Sequence, residues 1–234
     1  VKHLFGFNQI TKDSNILGID ETGVGDYFTP LVSCIVFIPQ QSKDFLKSLN
    51  IKDSKKLSEK EINKIAKQLI NNVFYACYNL SQSGYNSLIN KNFNANEVKY
   101  ICHLNAIEKF VAKYDNFFEQ NTKTTVFIDQ YSTEKSILKY ATRMQEQKYF
   151  DKLNRLSNVN LVFDFKAEDK EISVACASII ARYTLNKLML KQQEEWNFPF
   201  MFGASAQVKK QVQEFKEKFG EAVLFKVCKM NFKI

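Results

Sequence analysis

ILGIDETGVGDYFTPLVSCIVFI, residues 16–38, decides the fold. An apolar run closes on two adjacent acids, Asp20 and Glu21, passes through Gly23-Val24-Gly25, and resumes after Pro30 as a second, nearly continuous apolar run. Apolar runs of this length bounded by glycine and proline read as strands, here 15–20 and 31–38. The second has the composition of a strand buried on both faces. Negative charge at the end of such a strand needs a cause. A glycine pair there commonly cradles phosphate, yet two carboxylates repel a bare phosphate unless a cation stands between them.

Outward from this stretch, SEKEINKIAKQLI carries Ser58 and Glu61 in capping-box spacing and lines Ile62, Ile65, Ala66 and Leu69 along one helical face. Residues 72–80, 124–129 and 160–165 read as three further strands, the last two separated by polar helical sequence. Residues 94–114 and 171–196 read as long helices, and a final one from Ala206 is stopped by Gly220. Strands clustered early and then alternating with helices predict an α/β fold: a mixed five-stranded sheet flanked by helices, with a helical C-terminal portion. Residues 1–13 read as a short lead-in and 14–234 as one domain.

The composition narrows the function. Forty-five per cent hydrophobic residues suffice for a sizeable core, and a net charge of +8 favours a polyanionic partner, although solvated lysines alone also produce such a balance. Cys34, Cys77, Cys102, Cys176 and Cys228 are odd in number and never spaced C-x-x-C, so they read as buried thiols of a reducing compartment rather than a disulfide frame or zinc site. No apolar run approaches the ~20 residues of a membrane span, and the N-terminus lacks a signal-peptide core, which points to a cytoplasmic protein. Only His3 and His103 are present, neither near a nucleophile motif, which argues against a Ser-His-Asp hydrolase and for catalysis by carboxylates and metal.

Two later strands end as the first does. TTVFID stops at Asp129, and LVFDFKAEDK reaches Glu168 just past its apolar core. Any one such acid is as well explained by a chain leaving for solvent, but three segments delivering Asp20, Glu21, Asp129 and Glu168 to one sheet rim favour a site at the strand carboxyl ends. Carboxylates at close range cannot all stay ionised unaided, and hard divalent cations, Mg²⁺ or Mn²⁺, resolve that conflict and suit two-ion phosphodiester cleavage. The glycines match no nucleotide-binding motif: Phe28 stands at the third position of G-x-G-x-x-G, and no P-loop pattern occurs. Gly23-Val24-Gly25 is then either a backbone that a ligand approaches closely or a plain turn. Lys55 and Lys56, before the capped helix, are either phosphate contacts or solvated loop lysines. The small residues of Val174–Ala181 fit close packing of a helix on the sheet.

These residues resemble the type 2 ribonucleases H, and within them ribonuclease HIII. DETGVGDYFTPLV is similar to the family's D-E-x-G-x-G-D-x-x-G-P opening and KDSKKLS to its D-S-K-K-L segment; the likeness runs on through FIDQY, KAEDKEISVACASIIAR, GAS (203–205) and CKMNF. The resemblance implies a ribonuclease H-like fold and a monomeric endonuclease without an obligate protein partner. Such an enzyme cleaves the RNA strand of RNA/DNA hybrids to leave 5′-phosphate and 3′-hydroxyl ends. It further implies Asp20, Glu21, Asp129 and Glu168 as ligands of two metal ions, Gly23, Val24 and Gly25 as the turn that reads 2′-hydroxyls, and Lys55 and Lys56 as backbone-phosphate contacts.

Three features resemble HIII rather than its sister HII: GVGD in place of G-R-G or G-K-G, Glu168 within KAE in place of aspartate, and GAS without the junction-reading tyrosine. Thr29 stands at a family glycine position, and Val24 replaces a small polar residue. The residues before Ile16 are too few for the N-terminal substrate-binding domain typical of HIII, which predicts weaker, more salt-sensitive binding. The rival expectations are HII-like incision at single ribonucleotides in duplex DNA, and hybrid binding without catalysis.

Overall fold

A computed structural model describes residues 5–7, 15–49, 51, 57–114, 116–117, 123–147 and 159–232. Six strands, β1 (Phe5–Phe7), β2 (Asn15–Thr22), β3 (Leu31–Phe37), β4 (Phe74–Leu80), β5 (Thr124–Asp129) and β6 (Val159–Asp164), form one sheet in the order β1-β6-β5-β2-β3-β4. The described helices are α1 (Lys43–Ser48), α2 (Glu59–Leu69), α3 (Gln82–Asn90), α4 (Ala95–Lys113), α5 (Glu134–Glu146), the single turn α6 (Ala167–Lys170), α7 (Ile172–Trp196) and α8 (Ala206–Phe219).

The five strands expected from apolar periodicity are all present. A sixth lies within the expected lead-in, where Phe5–Phe7 pairs in parallel with β6. Three residues carry too little periodicity to announce a strand, and β1 is defined by its partner. The sheet is mixed: β1, β6, β5 and β2 run parallel, while β2, β3 and β4 form an antiparallel meander. Strand β3 is buried along six of its seven residues because helices cover both faces.

On one face α2, α7 and α8 close a core through Ile62, Ala66, Ile179, Val208 and Phe215. On the other, α3, α4 and α5 close a second through Tyr85, Ile101, Phe110 and Ile137. The side chain of Ser58 and that of Glu61 cap α2 reciprocally, and Asn94 with Glu97 does the same for α4. Helix α7 approaches the sheet most closely at Gly18, where an added Cβ would lie 2.2 Å from the Val174 nitrogen.

The cysteines differ from the sequence expectation in one respect. Cys34 and Cys77 stand directly opposite each other in the β3–β4 register and form a disulfide, while Cys102, Cys176 and Cys228 are free and buried. Their 43-residue separation hides a pairing that only strand register creates.

Candidate active site

Parallel pairing sets the geometry of the rim. Ile19 of β2 lies opposite Ile128 of β5, so the next residues, Asp20 and Asp129, emerge side by side at the carboxyl ends of adjacent central strands. Because side chains alternate along a strand, Asp20 faces α7 and Glu21 the opposite layer. Asp20 Oδ1 accepts a hydrogen bond from the Glu21 N–H at 2.8 Å, and the Ser178 hydroxyl of α7 also bonds its carboxylate. Asp129 Oδ1 accepts from the Ala167 N–H at 3.0 Å. That amide is aimed by Lys166, whose left-handed backbone (φ 53°, ψ 48°) turns the chain from β6 into α6. Glu168 follows on α6, half-buried and close enough to raise the Asp129 pKa.

Glu21 is held differently. Its carboxylate takes Lys99 Nζ at 2.8 Å and His103 Nε2 at 2.7 Å, both from α4, in a pocket where His103 is 1% exposed. Neither residue was expected in the site. They stand four apart on one helical face, a spacing visible in the sequence, but only the packing of α4 under β2 shows what they meet.

The electrostatics separate the two adjacent acids. Burial would raise the Glu21 carboxyl, but the hydrogen bond and electrostatic interaction with His103, and then those with Lys99, outweigh it and hold the pKa down at about 2. Asp20 has no such partner. Burial first, then the Glu21 and Asp129 carboxylates, push it up to about 8 against the opposing Ser178 and Glu21 hydrogen bonds. Asp129 is also raised, chiefly by burial and then by Glu168 and Glu21, against the Ala167 amide. The neighbouring Asp164, in register with Asp129, is instead neutralised by Lys170 at 2.6 Å.

Among the described residues no three acid, imidazole or thiol side chains converge at ligand distance around one point. Each carboxylate is turned to a local partner: Glu21 to α4, Asp129 to the Ala167 amide, Asp20 to the Glu21 amide and Ser178. The donor set nevertheless fits a hard divalent cation. Its members are carboxylate oxygens, and ionising both Asp20 and Asp129 creates desolvated, mutually repelling charge that such an ion relieves.

Because the folded pKa of Asp20 is raised from its ordinary 3.8 to about 8, its contribution to stability is fully present below about pH 4 and is lost as pH rises toward 8. A bound cation must displace that proton. Calorimetric Mn²⁺ affinity is therefore expected to rise about tenfold per pH unit between pH 6 and 8 and to level off above. A flat profile would show that Asp20 does not carry the ion.

The glycine turn adjoins the acids. Gly23 is buried with φ +89°, and a Cβ there would meet the Pro30 carbonyl at 2.2 Å, so the fold itself demands glycine. Gly25 is exposed, lacks a positive φ, and has open space around its Cβ position. Val24 is half-buried against the α4-side core, which explains an apolar side chain there. Thr29 donates from its hydroxyl toward Asp26 Oδ2 (3.1 Å) and the Gly23 carbonyl (3.2 Å). Gly203 of the GAS segment donates its N–H to Asp26 Oδ1 at 2.8 Å. Beneath the turn lies Lys229, fully buried, another residue not expected here. Lys55 and Lys56 lie outside the described residues.

Carboxylates at the ends of parallel strands, on a mixed sheet with a helix pressed against its centre, define a hydrolase of the ribonuclease H type, whose chemistry depends on divalent metal. The chain belongs to the ribonuclease HII family, whose profile matches residues 17–234, and within it to the ribonuclease HIII branch. Ribonuclease HIII of Phytoplasma mali is 35% identical over 217 residues, covering 93% of this chain and 70% of that protein. Ribonuclease HIII of Bacillus cereus is 31% identical over 218 residues, covering 93% and 66%. The crystal structure of Bst-RNase HIII in complex with Mn²⁺ superposes with a TM-score of 0.80 at 26% identity, over 94% of this chain and 67% of that one. The chain thus spans 66% to 70% of the length of these relatives.

Proposed function

We propose that residues 14–234 form a type 2 ribonuclease H catalytic domain that cleaves the RNA strand of RNA/DNA hybrids, leaving 5′-phosphate and 3′-hydroxyl ends. The observation that carries this reading is the adjacency of Asp20 and Asp129 on paired parallel strands, where burial and the neighbouring carboxylates push the Asp20 pKa up to about 8. Asp20, Glu21, Asp129 and Glu168 would hold two divalent ions, Mg²⁺ or Mn²⁺, whose chemistry is to activate a water and to stabilise the departing 3′-oxygen. The chain's own groups prepare that arrangement. The Ala167 amide orients Asp129, Ser178 orients Asp20, and Lys99 with His103 keeps Glu21 ionised at every working pH. In this reading the Gly23-Val24-Gly25 turn reads the ribose 2′-hydroxyls, buried Gly23 shaping it and Val24 and Gly25 facing the sugar, and Lys55 and Lys56 meet the phosphates. A monomer working in the cytoplasm completes it, and among the described residues no helix is long and apolar enough to cross a membrane.

The deciding experiment pairs a uniform RNA/DNA hybrid with a DNA duplex carrying one ribonucleotide, each with Mg²⁺ and with Mn²⁺. Efficient cleavage of the hybrid and weak incision at the single ribonucleotide are expected. The reverse ranking would assign HII-like activity, and tight hybrid binding without cleavage in either metal would make the protein a non-catalytic binder. Gly25→Ala sharpens the same assay. Nothing in the fold opposes the methyl group, so the melting temperature should hold or rise slightly. KM for the hybrid should rise about tenfold if the sugar–phosphate backbone approaches there; an unchanged KM would remove Gly25 from the interface.

A further inference from the structure

We propose that Lys229 is a positioning residue for the substrate-reading turn: its ammonium holds the Gly23 and Asp26 carbonyls inward, so that the Val24–Gly25 peptide is the part presented to an RNA/DNA hybrid. The inference rests on the hybrid reading above and adds to it a residue that touches neither acids nor substrate.

An ammonium has three donors and no acceptor. All three donors of Lys229 are used, on the Gly23 carbonyl at 2.6 Å, the Asp26 carbonyl at 2.8 Å and Thr29 Oγ1 at 3.3 Å. The side chain is completely buried and its three hydrogen bonds go to neutral oxygens, while the nearby Asp26 carboxylate is engaged by the Gly203 amide and the Thr29 hydroxyl. Burying a cation against neutral partners is costly, and an apolar side chain of the same length would serve stability as well or better. What an apolar side chain cannot do is draw the carbonyls at both ends of a four-residue turn onto one point.

The anchor of the ammonium is independent of the turn's tip. The Lys229 N–H donates to the Tyr27 carbonyl at 2.9 Å, and Asn86 of α3 grips the chain on either side, donating to the Cys228 carbonyl (2.9 Å) and accepting from the Met230 N–H (2.8 Å). The C-terminal segment is thus fixed to the scaffold, and Lys229 transmits that fixity to Gly23, two residues from Glu21. Thr29, which departs from the family's glycine, joins the same network as the third acceptor. With both end carbonyls committed inward, exposure is confined to the tip, where Gly25 leaves open space.

The test is Lys229→Met, assayed on the uniform hybrid at a temperature where circular dichroism shows the variant folded. KM is expected to rise about tenfold with kcat within about twofold. In an Asp20→Asn background, the preference for binding hybrid over DNA duplex of the same sequence should shrink in proportion. A purely structural role would lower the melting temperature and the active fraction while leaving KM and that preference unchanged, and this result would overturn the inference. If Lys229→Met does not fold, Thr29→Val decides: it removes one acceptor of the ammonium together with the hydroxyl's own bonds to Asp26 and the Gly23 carbonyl, all of them ties on the same turn, and a KM rise of about threefold supports the inference while none sinks it. Wild-type protein that neither cleaves nor prefers the hybrid would overturn the functional reading and this inference together; wild-type cleavage with unaltered KM in the variants overturns this one alone.

Discussion

Asp20→Asn should lower hybrid cleavage by about 10³-fold or more, the scale set by removing one preorganised charge-stabilising group, and at the same time raise the melting temperature of the metal-free protein at pH 8. The two effects share one origin. Asp20 is desolvated beside Glu21 and near Asp129, and its raised pKa means that folding at neutral or alkaline pH disfavours its ionised form. Asparagine preserves the shape, cannot ionise, and removes that cost. It also removes a carboxylate on which the proposed cation site depends, so Mn²⁺ binding by calorimetry should weaken with the activity. Stability and catalysis moving in opposite directions are the signature of an acid retained for function. Cleavage near the wild-type rate would refute the assignment of Asp20. Lost activity with a lowered melting temperature would instead make Asp20 a structural residue.

Much of this arrangement is legible in the sequence because local rules govern it. The Ser58–Glu61 box that begins α2 and the apolar run of β3 follow from spacing alone. So does the end of β5 at Asp129, which places an acid where parallel strands deliver one. What the sequence conceals is set by register between distant segments. Phe5–Phe7 becomes a strand only beside β6, and Cys34 becomes a disulfide partner only because β3 and β4 align it with Cys77. Helix α3 is polar and contains Gly84, so its pattern is weak; Ser81 caps it, and its Tyr85 and Asn86 are buried. In the site, alternation along β2 predicts that Asp20 and Glu21 face opposite layers, yet nothing local says that Lys99 and His103 wait beneath Glu21. Lys229 is the plainest case. A lysine near a C-terminus ordinarily reads as solvated, and its complete burial follows from carbonyls some 200 residues away in sequence.

Gly18→Ala should be strongly destabilising. Gly18 lies on the central strand two residues before Asp20, on the same face, and the added Cβ would sit 2.2 Å from the Val174 nitrogen, 2.3 Å from the Ser173 carbonyl carbon and 2.6 Å from Ser173 Oγ. Two of these are backbone atoms at the start of α7 and cannot rotate aside, so the helix must move as a body. The Val174–Ala181 stretch is packed on the sheet with only Ser178 among its side chains left partly accessible, and it leaves little room for that shift. Overpacking of this kind costs about 3 kcal/mol, or a fall of about 6–12 °C in melting temperature for a domain of this size. The displacement also reaches the chemistry. Ser178 bonds Asp20 from the same helix, and an α7 lifted from β2 would slacken that bond. Surviving activity in Gly18→Ala should therefore show a reduced kcat even well below its melting temperature. A melting temperature within about 2 °C of wild type would mean that α7 does not press on β2 as closely as the Gly18 contact requires.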